Sequence, residues 1–547
     1  MKKHFLVPVL LLIWASCSSP RITKSDIRHA QKIFGMEFTA EQISTMQDYL
    51  NSNLEGYDSM RLNPPRYEVI PALTFSPMPS GFEIKDSPSV VDFDFNEKVL
   101  LPENREDLAF YTVADLSVLI KTKQISSVEL TQFFLDRIKK YDEKLEAVIT
   151  ITEERALAQA TKMDEELAQG KYRGPLHGIP YGTKDLMAVK DYPTTWGAEP
   201  YRDQVIDETA TVVEKLDDAG AVLIAKLVSG ALARGDVWFG GKTKNPWDLT
   251  QGASGSSAGS GSATSAGLVP FALGTETLGS ITSPANRNGV TGLRPTYGRV
   301  SRKGVMSLSW SMDKIGPLCR SAADCALVFD AIHGTDPKDP MTIAAPFSYS
   351  NTSKLEGAKI GYFKEVFEND SSLSKDNNLA MLDSIRNMGF ELIELELPKT
   401  ISTRGFDIIL RAEAGAFFDE LVLSGETSSM VEQGKSSRAN SLRQSRFIPA
   451  VEYLQANRQR RVMIEAIHPV FSSVDVILSP TNYSKQLVIT NLSGHPALTI
   501  PTGLDSKNHP TSITLLGNLF EEQALLEFGT LIQEKTDFHL KKPPGFE

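Results

Sequence analysis

A segment rich in glycine and serine, at residues 251–298, holds the hydroxyl groups that could carry out chemistry in this chain. It contains a cluster of serines and then a separate serine, Ser280, that follows a glycine. The segment has no histidine, and the nearest candidate base is Lys184, upstream in HGIPYGTKDL. A serine hydroxyl is a weak nucleophile until a base takes its proton. These residues therefore indicate nucleophilic serine chemistry with a lysine as the base.

Three blocks resemble the signature of the amidase signature family, in the order of that family: GIPYGTKD at 178–185, GSSAGS at 255–260 and GTETLGS at 274–280. NPWD, at 245–248, precedes the serine cluster as it does in the family. Members of the family cleave carboxamides with a Ser-Ser-Lys triad in which 24 residues separate the bridging serine from the nucleophile. Ser256 has this spacing from Ser280. The resemblance therefore implies Ser280 as nucleophile, Ser256 as bridge and Lys184 as base.

The same resemblance extends from about Leu108 to the C-terminus and implies the fold and the needs of the reaction. It implies an α/β protein with a large central mixed β-sheet, covered by helices on both faces. It implies no metal and no organic cofactor, and the chain has no Cys/His spacing typical of a zinc site. The substrate would be a small-molecule or peptide amide, cleaved to release ammonia or an amine.

Lysine can act as a base only when it is neutral, so burial and nearby donors must lower its pKa from about 10.4. In the arrangement that the resemblance implies, the proton of Ser280 passes to Ser256 and then to Lys184. It returns by the same route to the leaving amine. The bridging serine of the family takes part in a cis peptide bond, which the adjacent Gly255 would accommodate.

Four consecutive backbone N–H groups are expected to form the oxyanion hole. They belong to Thr277, Leu278, Gly279 and Ser280. The family usually has glycine in place of Leu278, and leucine would be strained there if its φ were positive. If φ is negative, Leu278 narrows the pocket. The family also has an arginine where this chain has Thr282, so the turn must be braced in another way.

Substrate contacts are harder to assign from the sequence. The candidate pocket walls are Ser257, Trp238, Trp310 and Met312, although burial in the core is the commoner fate of large apolar side chains. Only a short stretch separates SPT at 479–481 from NLSGHP at 491–496, where the family often has a long pocket-forming loop. The short stretch predicts an open mouth, unless the N-terminal extension closes the site.

The N-terminus is typical of an export signal. Lys2 and Lys3 precede an apolar run from Phe5 to Ala15 that is too short to span a bilayer comfortably. Cys17 then follows Ala15-Ser16 in an arrangement that resembles a lipobox. Lipid on Cys17 would anchor a periplasmic or cell-envelope protein to the membrane. A single anchoring helix and secretion with Cys17 unmodified are the alternatives.

The sequence divides into three parts: a signal at 1–17, an N-terminal extension at 18–104 and a catalytic domain at 105–547. Within the extension, residues 27–50 are expected to be helical, with a second helix opening at Thr39. A proline-rich passage at 64–79 follows. The catalytic part alternates helical and strand segments, with short apolar strands expected at 221–225 and 474–478, which favours a layered α/β core.

Composition restricts the partners. The 547-residue chain has a net charge of −11 and no long basic run, which argues against nucleic acid. It has three cysteines: Cys17, Cys319 and Cys325. The last two either pair or stay as buried thiols. Six residues apart on one helix, they would not face each other. The oligomeric state is not indicated.

Three other functions fit parts of the sequence. GSSAG at 255–259 fits the nucleophile elbow of an α/β-hydrolase, with Ser257 as nucleophile. That fold needs a downstream histidine, and His333, His468 and His495 are available. A glutaminase subunit that makes amidated tRNA is a relative within the family, against which the export signal and net acidity argue. The last alternative is a catalytically degenerate exported lipoprotein that binds amides or peptides.

Asp313, His177 and His495 are expected to be structural.

Overall fold

A computed structural model describes residues 21–353, 355–398 and 403–547. The predicted signal and its Cys17 lie outside the described residues, so export and lipidation stay predictions. The chain forms two compact units, one ending at Val69 and the other comprising Ile70–Glu547. The extension predicted over 18–104 is thus shared between both units. Among the described residues, no helix is long and apolar enough to cross a membrane.

The first unit contains two helices, α1 (Lys24–Ile33) and α2 (Ala40–Arg61). Each begins with a capping box, in which a threonine and the residue three positions later satisfy each other's backbone N–H groups. Thr39 and Gln42 form this box at α2, which confirms the predicted helix start. The helix continues past Leu50 to Arg61.

The second unit is built on an 11-stranded mixed sheet with the strand order β14-β13-β15-β17-β16-β10-β11-β9-β3-β4-β2. The strands of the chain are β1 Val91–Asp92, β2 Val148–Ile151, β3 Pro180–Lys184, β4 Val222–Leu227, β5 Val237–Trp238, β6 Gly241–Lys242, β7 Lys244–Asn245, β8 Asp248–Gly252, β9 Phe271–Glu276, β10 Thr291–Arg294, β11 Lys314–Cys319, β12 Tyr349–Ser350, β13 Ile360–Tyr362, β14 Leu392–Glu394, β15 Val476–Pro480, β16 Ala497–Leu504 and β17 Pro510–Gly517. The apolar segments at 221–225 and 474–478 were predicted as strands, and β4 and β15 confirm them.

Helices flank the large sheet, as expected for an α/β fold. Those of the second unit are α3 Val113–Lys121, α4 Ser127–Leu145, α5 Glu153–Ala168, α6 Thr211–Asp218, α7 Ala258–Ser265, α8 Thr282–Asn288, α9 Ala322–Ile332, α10 Lys364–Glu368, α11 Lys375–Asn387, α12 Asp407–Phe417, α13 Asp419–Leu423, α14 Arg438–Ser445, α15 Ala450–Phe471, α16 Ser484–Ser493 and α17 Glu522–Glu534. Because both faces are covered, the central strands are continuous buried runs: every residue of β3, β4, β9 and β11 is buried.

Two neighbouring parallel strands position the lysine and the serines. β3 pairs with β9 in parallel, with Thr183 opposite Leu273. The strands therefore end at the same edge of the sheet, where Lys184 closes β3 and Glu276 closes β9. The fully buried helix α7 begins directly after Ser257, and α8 begins two residues after Ser280.

The cysteine prediction needs a correction. Cys319 ends strand β11 and Cys325 lies in helix α9, so the premise that they share one helix was wrong. A strand followed by a helix turns the chain back on itself, which brings the two residues near each other. Both are free buried thiols. Burial, together with the neighbouring Cys325, raises the pKa of the Cys319 thiol well above its usual range.

The close packing of α7 against the sheet gives a test of the fold. A Cβ added to Gly259 would lie 2.3 Å from the carbonyl oxygen of Ala147 and 2.4 Å from the amide nitrogen of Val228. Backbone cannot move aside cheaply, so Gly259→Ala is expected to lower the free energy of unfolding by about 3 kcal/mol. Gly434→Ala is the control, because no atom of the described residues lies within 4 Å of its added Cβ. Equal denaturation midpoints for both variants would contradict this packing.

Candidate active site

Lys184 is the centre of the site. Its side chain is fully buried at the end of β3, and its amine touches three hydroxyl groups. Nζ lies 2.7 Å from Oγ of Ser256, 3.1 Å from Oγ of Ser257 and 2.9 Å from Oγ1 of Thr275. The structure thus brings together the predicted base and the predicted bridge. Thr275 was not predicted; its position on β9, beside β3, is what places it here.

The hydrogen bonds around the Lys184 amine depend on whether it is neutral or charged. The hydroxyl of Ser257 donates to the carbonyl oxygen of Thr275 at 3.2 Å, so its oxygen accepts from Lys184. A neutral amine has two hydrogens and one lone pair. A neutral Lys184 would donate to two of its three hydroxyl neighbours and accept the proton of the third, which is Ser256 in the arrangement expected from the sequence. None of the three neighbours carries a charge that would balance an ammonium ion.

Burial also favours the neutral amine. It lowers the pKa of Lys184 well below the usual range, and the carboxylates of Asp313 and Glu276 offset only part of this shift. Both carboxylates are engaged elsewhere. Glu276 forms an ion pair with Arg294, and Asp313 accepts hydrogen bonds from the backbone.

Ser256 and Ser257 lie in a tightly packed turn that opens helix α7. The peptide bond between Gly255 and Ser256 is cis, as the family resemblance implied. A Cβ on Gly255 would lie 1.8 Å from the carbonyl oxygen of Gly235, so only glycine fits there. Ser257 is fully buried, where it bonds to Lys184 and Thr275 instead of lining a pocket. This position does not support the α/β-hydrolase alternative.

Ser280 lies in the turn between β9 and α8 and is 8% exposed. Its carbonyl oxygen accepts a hydrogen bond from the backbone of Ser257 at 3.3 Å, which ties the two serine segments together. Between the described residues, no hydrogen bond joins the hydroxyls of Ser256 and Ser280. Ser280, the nucleophile predicted from the sequence, lines a cavity, whereas Ser256 bonds to Lys184.

The turn before Ser280 contains the backbone amides that are expected to form the oxyanion hole. Within the described part of the chain, the amides of residues 277–280 donate to no backbone acceptor. Gly279 has a φ of +88°, whereas φ of Leu278 is not positive. Leucine is therefore unstrained at this position, where its side chain is 36% exposed.

Glu276 braces this turn, at which the chain has Thr282 in place of the arginine of the family. One carboxylate oxygen accepts from the backbone of Ile281 and Thr282, both at 2.9 Å, and from the Thr282 hydroxyl at 3.1 Å. The other accepts from Arg294 at 2.7 Å and from Asn491 at 2.9 Å. Burial opposes the charge, but Arg294 and these N–H groups lower the pKa of Glu276 to about 2.

Asp313 holds the opposite side of the turn. Its carboxylate accepts from the hydroxyl of Thr277 at 2.5 Å. It also accepts from the backbone of Leu308 and Ser309, at 2.7 and 2.9 Å. Burial raises the pKa of Asp313, while these bonds act against the shift. Asp313 thus orders backbone, as expected from the sequence. His177 and His495 are buried and bond to neighbouring residues of the fold.

A cavity of about 500 Å³ lies over Ser280. Its wall is mainly polar and cationic, and no residue of 70–104 contributes to it. The principal lining residues are Arg234, Thr277, Leu278, Ser280, Leu308, Asp407, Arg411, Lys435 and Arg438.

The apolar pocket residues predicted from the sequence do not line this cavity. Trp310 lies 6.1 Å from the ring of Phe417, and Trp238 packs against Phe239 at 4.9 Å. Met312 is buried. The cationic residues of α14 and the preceding loop were missed, because they are more than 150 residues from Ser280 and carry no motif.

Known proteins are similar to this chain over most of its length. The Amidase family profile matches residues 129–486. The A subunit of glutamyl-tRNA(Gln) amidotransferase from Coxiella burnetii is 35% identical over 481 residues, which cover 79% of this chain and 99% of that protein. The corresponding protein of Thioalkalivibrio sulfidiphilus is 34% identical over 484 residues, covering 80% and 99%.

Solved structures of amidases are also similar to this chain. The native peptide amidase from Stenotrophomonas maltophilia is 28% identical, with a TM-score of 0.70, covering 81% of this chain and 100% of that one. An amidase family protein from Bacillus anthracis is 26% identical, with a TM-score of 0.72, covering 80% and 93%. The predicted α/β fold with its large mixed sheet is confirmed. The chain belongs to the amidase signature family and is an amide-hydrolysing enzyme.

Proposed function

We propose that this enzyme cleaves its amide through a seryl acyl-enzyme, with Ser280 as nucleophile, Ser256 as proton bridge and Lys184 as base. The observation that carries the proposal is the fully buried Lys184 amine, 2.7 Å from Ser256 and without a carboxylate at ion-pair distance in the described chain. Such an amine is neutral and can accept a proton at physiological pH.

In the first step the Ser280 hydroxyl turns towards Ser256, to which it is not hydrogen-bonded in the described chain. Its Oγ then attacks the amide carbon, and its proton moves through Ser256 to Lys184. The negative oxygen is held by backbone N–H groups of residues 277–280, each worth about 3 kcal/mol of the barrier. The C–N bond then breaks as Lys184 returns the proton, through Ser256, to the leaving nitrogen. Water attacks the ester by the same route, so that the acid is released and Ser280 regains its proton.

Covalent labelling tests these roles. After treatment with a fluorophosphonate, the intact mass of the wild-type protein is expected to show one adduct. Ser280→Ala should show none, and Lys184→Ala should react at least about 100-fold more slowly, because general-base catalysis is lost. Ser257→Ala is the matched control and should keep the adduct.

The opposite pattern would contradict the assignment. An adduct that persists in Ser280→Ala and disappears in Ser257→Ala would make Ser257 the nucleophile.

The cavity wall supports a substrate that carries an anionic group. Arg438 is only 5% exposed, and its guanidinium donates to the carbonyl oxygens of Leu232 and Ala233, at 3.0 and 3.1 Å. It has no ion-pair partner in the described part of the chain. Burial and the nearby Arg234 lower the pKa of Arg438 to about 9, while the charges of Asp313 and Asp407 oppose this shift. A buried cation without an ion pair is costly, and an anion in the cavity would relieve that cost.

A second candidate is glutamine hydrolysis by an amidotransferase component. The observation in its favour is the 35% identity to the A subunit of glutamyl-tRNA(Gln) amidotransferase. Glutamine is itself an amide with a carboxylate, so this candidate would also use the cationic wall. The two candidates differ in whether the purified chain alone hydrolyses amides other than glutamine.

Arg438→Gln tests the anionic subsite. For an amide that bears a carboxylate, this change is expected to raise KM about 10- to 100-fold, because charge-assisted hydrogen bonds are lost. The KM for the matching neutral amide should change less than about twofold. Arg411→Gln is the control, because Arg411 lines the same cavity but is paired with Asp407. Equal losses on the charged and neutral substrates would exclude a subsite for an anion.

A further inference from the structure

A segment that precedes the family-like part of the chain lies across helix α15. The backbone carbonyl of Met78 accepts from Arg461 at 2.7 Å. Ser80 donates to Glu465 through its backbone and its hydroxyl, at 3.0 and 2.9 Å. Pro77 is buried. Residues 75–80 are therefore a built part of the second unit, although the sequence indicated only an extended passage.

Phe75, at the start of this segment, covers a buried cation. Its ring centroid lies 3.5 Å from the guanidinium carbon of Arg460, and it meets the ring of Tyr297 edge-on at 5.1 Å. Arg460 is only 1% exposed. A cation–π contact is strongest when the cation is desolvated, as it is here.

The N–H groups at the edge of the Arg460 guanidinium hold a loop. It donates to the hydroxyl and the carbonyl of Ser311, both at 2.8 Å, and to the carbonyl of Leu492 at 2.6 Å. None of these acceptors is charged, and in the described chain no carboxylate lies within ion-pair distance. The ring of Phe75 thus supplies the face that helps to keep this guanidinium in place.

The loop held by Arg460, residues 308–313, contacts the oxyanion turn, residues 277–280. Glu413 accepts from the hydroxyls of Ser309 and Ser311, at 2.6 and 2.8 Å. The other end of the loop is tied to Asp313, whose carboxylate bonds to Thr277. Each link is a direct contact between buried groups, so a displaced Arg460 can shift the loop and with it Thr277.

We propose that Phe75 is a positioning residue for the reaction: its ring fixes Arg460, which holds the loop at 308–313 and thereby the oxyanion turn at 277–280. Phe75 touches no reacting atom. This inference rests on the proposed acyl-enzyme at Ser280. It gives the proline-rich segment a role in catalysis, beyond covering the surface of α15.

The test compares four variants of the full chain. Phe75→Ala is expected to lower kcat and the rate of fluorophosphonate labelling about tenfold, with KM changed less than about twofold, because only the turn is disturbed. Phe75→Tyr keeps the aromatic face and should restore both rates, whereas Phe75→Leu keeps apolar bulk without that face and should not. Phe82→Ala is the control: its ring packs on His468 and Phe520, away from this loop.

The outcomes separate a positioning role from general loosening. Thermal unfolding of all four variants is measured alongside, and equal rate losses in Phe75→Ala and Phe82→Ala would overturn the inference. So would full activity in Phe75→Ala, or a Leu variant as fast as the Tyr variant. If Phe75→Ala does not fold, the Tyr and Leu variants decide. The site of labelling reports the proposed function, and the ratio of rates reports this inference, so the two can fail separately.

Discussion

The proposed chemistry depends on one buried amine that has no carboxylate at ion-pair distance among the described residues. Lys184 lies at the end of a central strand, among hydroxyl groups that can share its hydrogens and its lone pair. Burying an ammonium ion there would cost several kcal/mol, and burial accordingly lowers the pKa of Lys184 well below its usual range. The two nearest carboxylates do not change this, because Glu276 is paired with Arg294 and Asp313 accepts from the backbone. In the proposed mechanism this basicity serves a serine hydroxyl without a histidine.

The sheet and two short helices, α7 and α8, hold that amine and the turn at 277–280 in position. Parallel pairing of β3 with β9 places Lys184 beside Thr275. Gly274 leaves the room that Ser257 needs, because a Cβ there would lie 2.8 Å from the Ser257 hydroxyl. Glu276 then ends β9 and braces the start of α8. The residues that pack the site, the charged group that braces it and the proposed base therefore lie close together.

The sequence was sufficient for the parts of the site that lie in local motifs. Three blocks that resemble the amidase signature family implied the lysine–serine cluster, and helix capping at Thr39 was predicted correctly from four residues. It was insufficient where distant segments meet. Arg438 reaches the cavity from α14, and the contact of Phe75 with Arg460 joins residues almost 400 positions apart. No periodicity or motif marks such contacts. The large aromatic residues predicted as pocket walls were chosen by type alone, and type does not say which side of a packed layer a ring occupies.

The protonation state of Lys184 is the most direct test of the proposed chemistry. In protein labelled with ¹³C at the lysine Cε, comparison with Lys184→Met assigns the signal, and a pH titration gives its pKa. We predict the signal of a neutral amine at pH 7, with the pKa depressed well below about 10.4 by burial. The folded protein would take up the proton only as the pH falls, and activity would fall with it. An ammonium signal that persists above pH 9 would contradict the central claim.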